Sequence, residues 1–276
     1  MLPTKNQLNH LLRIKFQRCT LNPTMPFINP AAEELSSSLV LLFRLIESND
    51  WDKVNSVFLT DPEGQRKFQR VDARVTASKG FNGMTILHAC ARFNPPPQVV
   101  SRIIELCPDA PRAQDCLKRT PLHVMAGTNT PSYVVEVLAN AYPDACMIQD
   151  IDGCTPLHFA CDSSCELFEN DIGKSVQSAP SFATISVLLN ASMESAVLED
   201  DEGMSAIEYA LCSDAELRTV RLLQKATRRI MSRKHERMKH ESAKLVSAMK
   251  SGKDLAPRKG ILVEFPRKGP KYARSA

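Results

Sequence analysis

The sequence predicts an all-α solenoid, a stack of short helix pairs, on three observations. One nine-residue pattern recurs in register: Gly83-Met-Thr-Ile-Leu-His-Ala-Cys-Ala91, Lys118-Arg-Thr-Pro-Leu-His-Val-Met-Ala126 and Gly153-Cys-Thr-Pro-Leu-His-Phe-Ala-Cys161. Its threonines, Thr85, Thr120 and Thr155, are 35 residues apart each time. Second, the match continues between copies, where Pro108-Asp-Ala110 with Gln114-Asp115 returns as Pro143-Asp-Ala145 with Gln149-Asp150. A fixed period of about 20–50 residues belongs to stacked supersecondary units rather than to one globular core. Third, the apolar residues between copies fall at helical spacing: Val99, Val100, Ile103, Ile104; then Val134, Val135, Val137, Leu138; then Ile185, Leu188, Leu189.

The elements follow in chain order. Residues 1–32 carry Lys5, Arg13, Lys15 and Arg18 with no acid, which reads as a basic, disordered leader. Leu39, Leu42, Phe43 and Ile46 predict a helix over Ser38–Ser48, and Trp51, Val54 and Val57 a second one ending near Asp61-Pro62. This pair, over 36–63, is expected to cap the stack, because the open end of a solenoid exposes apolar surface. Residues 64–82 read as a long finger or connector. The repeats then span about 80–115, 116–150, 151–200 and 201–225. Each opens on a Thr that can cap a helix, followed in two copies by a Pro tolerated in the first turn. Leu87, Leu122 and Leu157 are expected to face inward. The fourth copy, Gly203-Met-Ser-Ala-Ile-Glu-Tyr-Ala210, is degenerate, and Thr155 and Ser205 are 50 residues apart, so about fifteen were inserted. Polar residues from Asp162 to Ser178 place that insertion in an exposed loop over 162–180. From Asp214 to about Met249 the pattern is one long helix, beginning as the second helix of the last repeat (Leu217, Val220, Leu223). A basic helical extension and tail occupy 226–276. In the tail, Ile261-Leu-Val-Glu-Phe-Pro266 reads as a docking peptide or a strand.

The repeated pattern resembles the ankyrin repeat. Thr120-Pro-Leu-His123 and Thr155-Pro-Leu-His158 match its T-P-L-H signature in full, and Thr85-Ile-Leu-His88 lacks only the proline. The Asn49-Asp-Trp-Asp-Lys-Val54 segment with its Thr60-Asp-Pro-Glu63 turn is also similar to the leading pair of diatom and related stramenopile ankyrin-repeat proteins. The resemblance implies a non-catalytic protein-binding module that uses its finger loops and first helices. Carried over position by position, the contacts it implies are Leu117, Arg119, Asp152, Cys154, Glu202 and Met204 on the fingers. On the first helices they are Arg92, Phe93, Thr128 and Asp162. Leu117-Lys118 replaces the Asp-Gly or Glu-Gly of the other fingers, so the second finger departs from the family pattern.

Charge and composition narrow the function further. The chain has 35 Lys+Arg and 31 Asp+Glu, a formal +4. That total hides an acidic middle: residues 33–225 carry 16 bases and 27 acids, whereas 226–276 carry 15 bases and 4 acids. Arg229, Arg233 and Arg237 recur every fourth residue, a spacing that is unfavourable unless an anion neutralises it. The alternative reading is therefore a nuclear or nucleic-acid-associated regulator, whose basic segment targets an acidic protein, nucleic acid, anionic membrane or import receptor. Against nucleic acid, the helical part from Asp214 to about Met249 has no Phe, Tyr or Trp for stacking on bases. Ten glycines are too scattered for a phosphate-cradling loop, and no small-molecule substrate or cofactor is expected. His88, His123 and His158 occupy one slot of successive repeats. Helices stacked about 8–10 Å apart cannot bring them to about 2 Å from one zinc ion. His158, Cys161 and Cys165 lack a second half-site, Cys90 points away from His88, and Glu199-Asp200-Asp201-Glu202 lacks the ligand plan of a calcium loop. Nine cysteines, an odd number, suggest reduced thiols in cytoplasm or nucleus. The acid-free, mildly amphipathic N-terminus also admits an organelle transit peptide. The longest apolar run, Leu39–Ile46, is far short of the ~20 residues a membrane span needs.

Overall fold

A computed structural model describes residues 30–77, 83–128, 130–163 and 180–250. Residues 1–29 of the leader, 164–179 of the polar loop and the tail from 251 on lie outside the described residues. By packing, the chain divides into a unit through Met231 and a unit from Ser232.

Helices α1 (Pro30–Glu47) and α2 (Trp51–Val54), a π-helical segment (Asn55–Thr60) and α3 (Pro62–Ala77) precede the repeats. Asp50 caps α2 by accepting the Lys53 N–H, and Asp61 Oδ2 accepts the N–H groups of Glu63 and Gly64 at the start of α3. Two expectations change here. Residues 64–77 are not a connector but most of a helix that buries Phe68, Val71 and Val75 against α1 and the π segment. Val57 is exposed while Phe58 and Leu59 are buried. The π segment, in which Thr60 Oγ1 donates to Asn55 O at 3.0 Å, advances the buried face by one residue. Gly64 permits the close approach, since a Cβ there would collide with the Val57 carbonyl.

The repeats then alternate. First helices are α4 (Ile86–Arg92), α6 (Pro121–Gly127), α8 (Pro156–Cys161) and α10 (Ala206–Cys212). Second helices are α5 (Pro97–Leu106), α7 (Ser132–Ala141), α9 (Phe182–Ala191) and the beginning of α11 (Leu217–Lys250). Each first helix packs on the next first helix, and α5, α7 and α9 pack in the same order. Leu87, Leu122 and Leu157 are fully buried, as are Val100, Val135 and Ile185 on the second helices. Short 3-10 turns (Ala110–Arg112, Pro143–Met147, Met193–Val197) lead from each second helix into the next finger. Along α11 the buried stripe Thr219, Val220, Leu223, Ala226 and Ile230 stops at Ile230, and every residue of 231–244 is exposed.

Candidate partner-binding surface

One aspartate per finger sets the finger geometry. Asp115 Oδ1 accepts the backbone N–H groups of Leu117 and Arg119 at 2.9 Å each. Asp150 Oδ1 does the same for Asp152 and Cys154 (3.0 and 2.8 Å), and Asp200 Oδ1 for Glu202 and Met204 (2.9 Å each). Across the same turns Asp115, Asp150 and Asp200 N–H donate to the carbonyls of Arg119, Cys154 and Met204. The turn requires a left-handed residue, which Gly153 (φ 79°) and Gly203 (φ 81°) supply freely. In the second repeat Lys118 takes that conformation at φ 59°. The altered finger, though it lacks the Asp-Gly or Glu-Gly pair, therefore keeps the geometry of the other two. Its compensation is a buried pair, in which Arg119 Nε and Nη2 reach Asp115 Oδ2 at 2.8 and 2.7 Å. Successive tips are tied through the backbone: Ile151 N–H donates to Leu117 O at 2.9 Å and Asp201 N–H to Asp152 O at 3.0 Å.

Two of the three motif histidines pin one repeat to the next by a hydrogen bond. Thr85 N–H donates to His88 Nδ1 at 3.0 Å, so the ring proton sits on Nε2 and points to Arg119 O of the following repeat at 3.0 Å. His123 repeats this with Thr120 N–H (3.0 Å) and Cys154 O (3.2 Å). Burial holds both rings neutral, lowering His88 to about 4 and His123 to about 3. Thr155 N–H donates to His158 Nδ1 at 3.0 Å, and His158 meets Tyr209 edge-on, as His123 meets Phe159. In the fourth copy Glu208 stands in the histidine slot and takes the Ser205 N–H and hydroxyl, with no further repeat to bridge to.

Four of the thiols, Cys90, Cys107, Cys146 and Cys161, are poorly placed for nucleophilic work. Burial pushes Cys107 up to about 12 and Cys146 up to about 11, and raises Cys90 and Cys161 as well, whereas a reactive cysteine needs a lowered value. Among the described residues no group of three or more His, Cys, Asp or Glu is arranged to hold a metal ion, and no helix is long and apolar enough to cross a membrane. Cys165 lies outside the described residues.

The expected contact residues divide into two sets. Leu117, Arg119 and Cys154 are buried, with Arg119 only 3% exposed, so these three build the fingers and offer no surface to a partner. The reason is their place inside the aspartate-stapled turn. Thr128 spends its hydroxyl on Met125 O (3.0 Å) and on Thr130 Oγ1 (2.6 Å), which in turn donates to Asn94 of the preceding repeat. Arg92, Phe93, Asp152, Asp162 and Met204 are half-buried and Glu202 is exposed, with the Arg92 guanidinium 5.6 Å from the Phe93 ring centre. Arg229, Arg233 and Arg237 are exposed on α11. Two features escaped the sequence reading. Ile151 is an exposed apolar residue at a finger tip. Asp72 of α3, itself buried, accepts the Ile86 N–H at 3.0 Å. The missing proline at Ile86 was the available signal, because it leaves a helix-terminal N–H that needs an acceptor.

Residues 87–172 match the family model for ankyrin repeats, in three copies. No curated protein matches the chain.

Proposed function

We propose that this ankyrin-repeat protein is a non-catalytic scaffold or adaptor that holds a protein partner on its fingers and on the exposed ends of its first helices. Ankyrin repeats are protein-interaction modules, and the match over 87–172 supports that role here. The observation that carries the reading is the internal use of the titratable groups. His88 and His123 bridge to the following repeat, and the finger aspartates and the Arg119 guanidinium close their own turns, so the surface open to a partner is that of the finger tips and helix ends. A surface held in place this way binds without an ordering cost. The N-terminal helices serve as the end cover of the array. Affinity capture with the full chain and with an Arg92→Glu, Asp152→Lys, Glu202→Lys variant tests the reading. Partners retained by the native chain and lost from the variant support it; an unchanged set of captured proteins defeats it.

The run of exposed bases on α11 favours a second reading, in which the basic segment directs the protein to an anionic partner, in the nucleus or elsewhere. It predicts that polyanion binding falls steeply with salt and disappears when 228–276 is removed. Cytoplasm and nucleus are the compartments consistent with reduced cysteines.

A further inference from the structure

From Met231 to Lys244 every residue of α11 is exposed. Its exposed length is nevertheless not uniformly polar. Met231 and Met238 are 53% and 58% exposed and stand seven residues apart, hence on one line along the helix. Between Arg228 and Lys244 the segment carries seven bases and two acids. Bases stand on several sides of the methionine line, although Glu241, three residues after Met238, borders it too. Lys234 is three residues after Met231 and four before Met238, so it borders the line directly. Arg237 and Lys239 flank Met238 by one residue each, about 100° to either side. Arg229 and Arg233 are two residues before and after Met231, which puts them on the opposite side of the helix.

That distribution separates three kinds of anionic surface. A membrane takes a helix with a broad apolar face opposite its bases, and two methionines with Lys234 beside them make too narrow a face to insert. A polynucleotide gains nothing from an apolar line, and the helix has no Phe, Tyr or Trp to stack on bases. A protein that encloses the helix satisfies both features at once. It offers an apolar groove to anchors spaced i, i+7 and carboxylates to the bases on every other side.

We propose that Arg228–Lys244 is a recognition helix for an acidic, helix-enclosing protein of the calcium-loaded EF-hand type, whose opened groove takes Met231 and Met238. This inference rests on the reading of α11 as an anionic-partner segment and names the class of partner. Calcium opens such grooves and exposes flexible apolar side chains that accommodate methionine. The partner's surrounding acids complement the net positive charge of the segment.

The test uses the full chain and calcium-loaded calmodulin as the probe, with duplex DNA and phosphatidylserine vesicles as parallel arms. Binding at about micromolar Kd or tighter, released by a calcium chelator, is expected. The double variant Met231→Glu, Met238→Glu should weaken it by about tenfold or more, as loss of buried anchors does. Unchanged thermal unfolding of that variant would show that the array is intact. Absence of calmodulin binding, or binding indifferent to the methionine changes, overturns the proposal. If DNA or vesicles bind while calmodulin does not, the anionic-partner reading stands and the EF-hand partner falls. If none of the three binds, both fall.

Discussion

A single missing proline shows how closely the repeats are balanced. Pro121 and Pro156 open their helices without an N–H to satisfy. Ile86 has one, and the chain meets it with Asp72, brought 14 residues back from α3 to 3.0 Å. Burial raises the Asp72 carboxyl above the usual carboxylate range, so the position has a cost of its own. Asp72→Ala should destabilise the array by about 1–3 kcal/mol, the cost of an orphaned buried donor. Ile86→Pro removes that donor, and Thr85 is already extended (φ −99°, ψ 169°), as a residue before proline must be. In the Ile86→Pro background the Asp72→Ala penalty should therefore largely vanish. A double-mutant cycle by urea unfolding reads the coupling directly. Equal penalties in both backgrounds would mean that Asp72 stabilises the fold by some other route.

The finger turn is the element in which sequence and structure agree least simply. The Asp-Gly and Glu-Gly pairs at 152–153 and 202–203 announce a left-handed turn, while Leu117-Lys118 does not. The turn forms regardless, because Asp115 bonds the same two backbone N–H groups and Arg119 locks its second oxygen. Lys118 bears the strain of a β-carbon at φ 59°. Lys118→Gly should stabilise the protein by about 1 kcal/mol, seen as a higher urea midpoint with unchanged slope. A neutral or destabilising result would show that the Lys118 side chain makes up for its backbone. The helix pairs themselves were legible, since a 35-residue register and inward leucines repeat at fixed offsets. The contact surface was less so. Position within a motif marks Leu117, Arg119 and Cys154 as loop residues, but burial depends on the neighbouring finger bonded against them. The helix over Pro62–Ala77 was missed because its buried face, Phe68, Val71 and Val75, is sparse among six charged side chains.

At the scale of the molecule, the internal wiring makes the stack sensitive to acid. His88 and His123 titrate near 4 and 3 when folded, against an ordinary value of 6.5. Below about pH 6.5 the unfolded chain takes up protons that the folded rings refuse, so stability is full above that pH and falls toward pH 4. Asp150 works in the opposite sense. Burial raises it to about 6, so its contribution is present at low pH and declines as pH rises from 3.8 toward 6. Asp72 is shifted the same way. Around His88 the charges of Asp115 and Arg119 oppose one another, and burial remains the dominant cause for both rings. From pH 6.5 down to 6 the histidines act with little opposition; below 6 Asp150 offsets part of the loss from the two rings. Urea unfolding at pH 7, 6, 5 and 4 should therefore show a monotonic fall in stability. His123→Gln, which cannot titrate, should be less stable than the native protein at pH 7 but lose less on acidification. A stability profile that stays flat between pH 7 and 4 would mean that the rings accept protons in the folded state. The neutral bridges from His88 and His123 to the next finger would then be wrong, and with them the account of how those repeats are held in register.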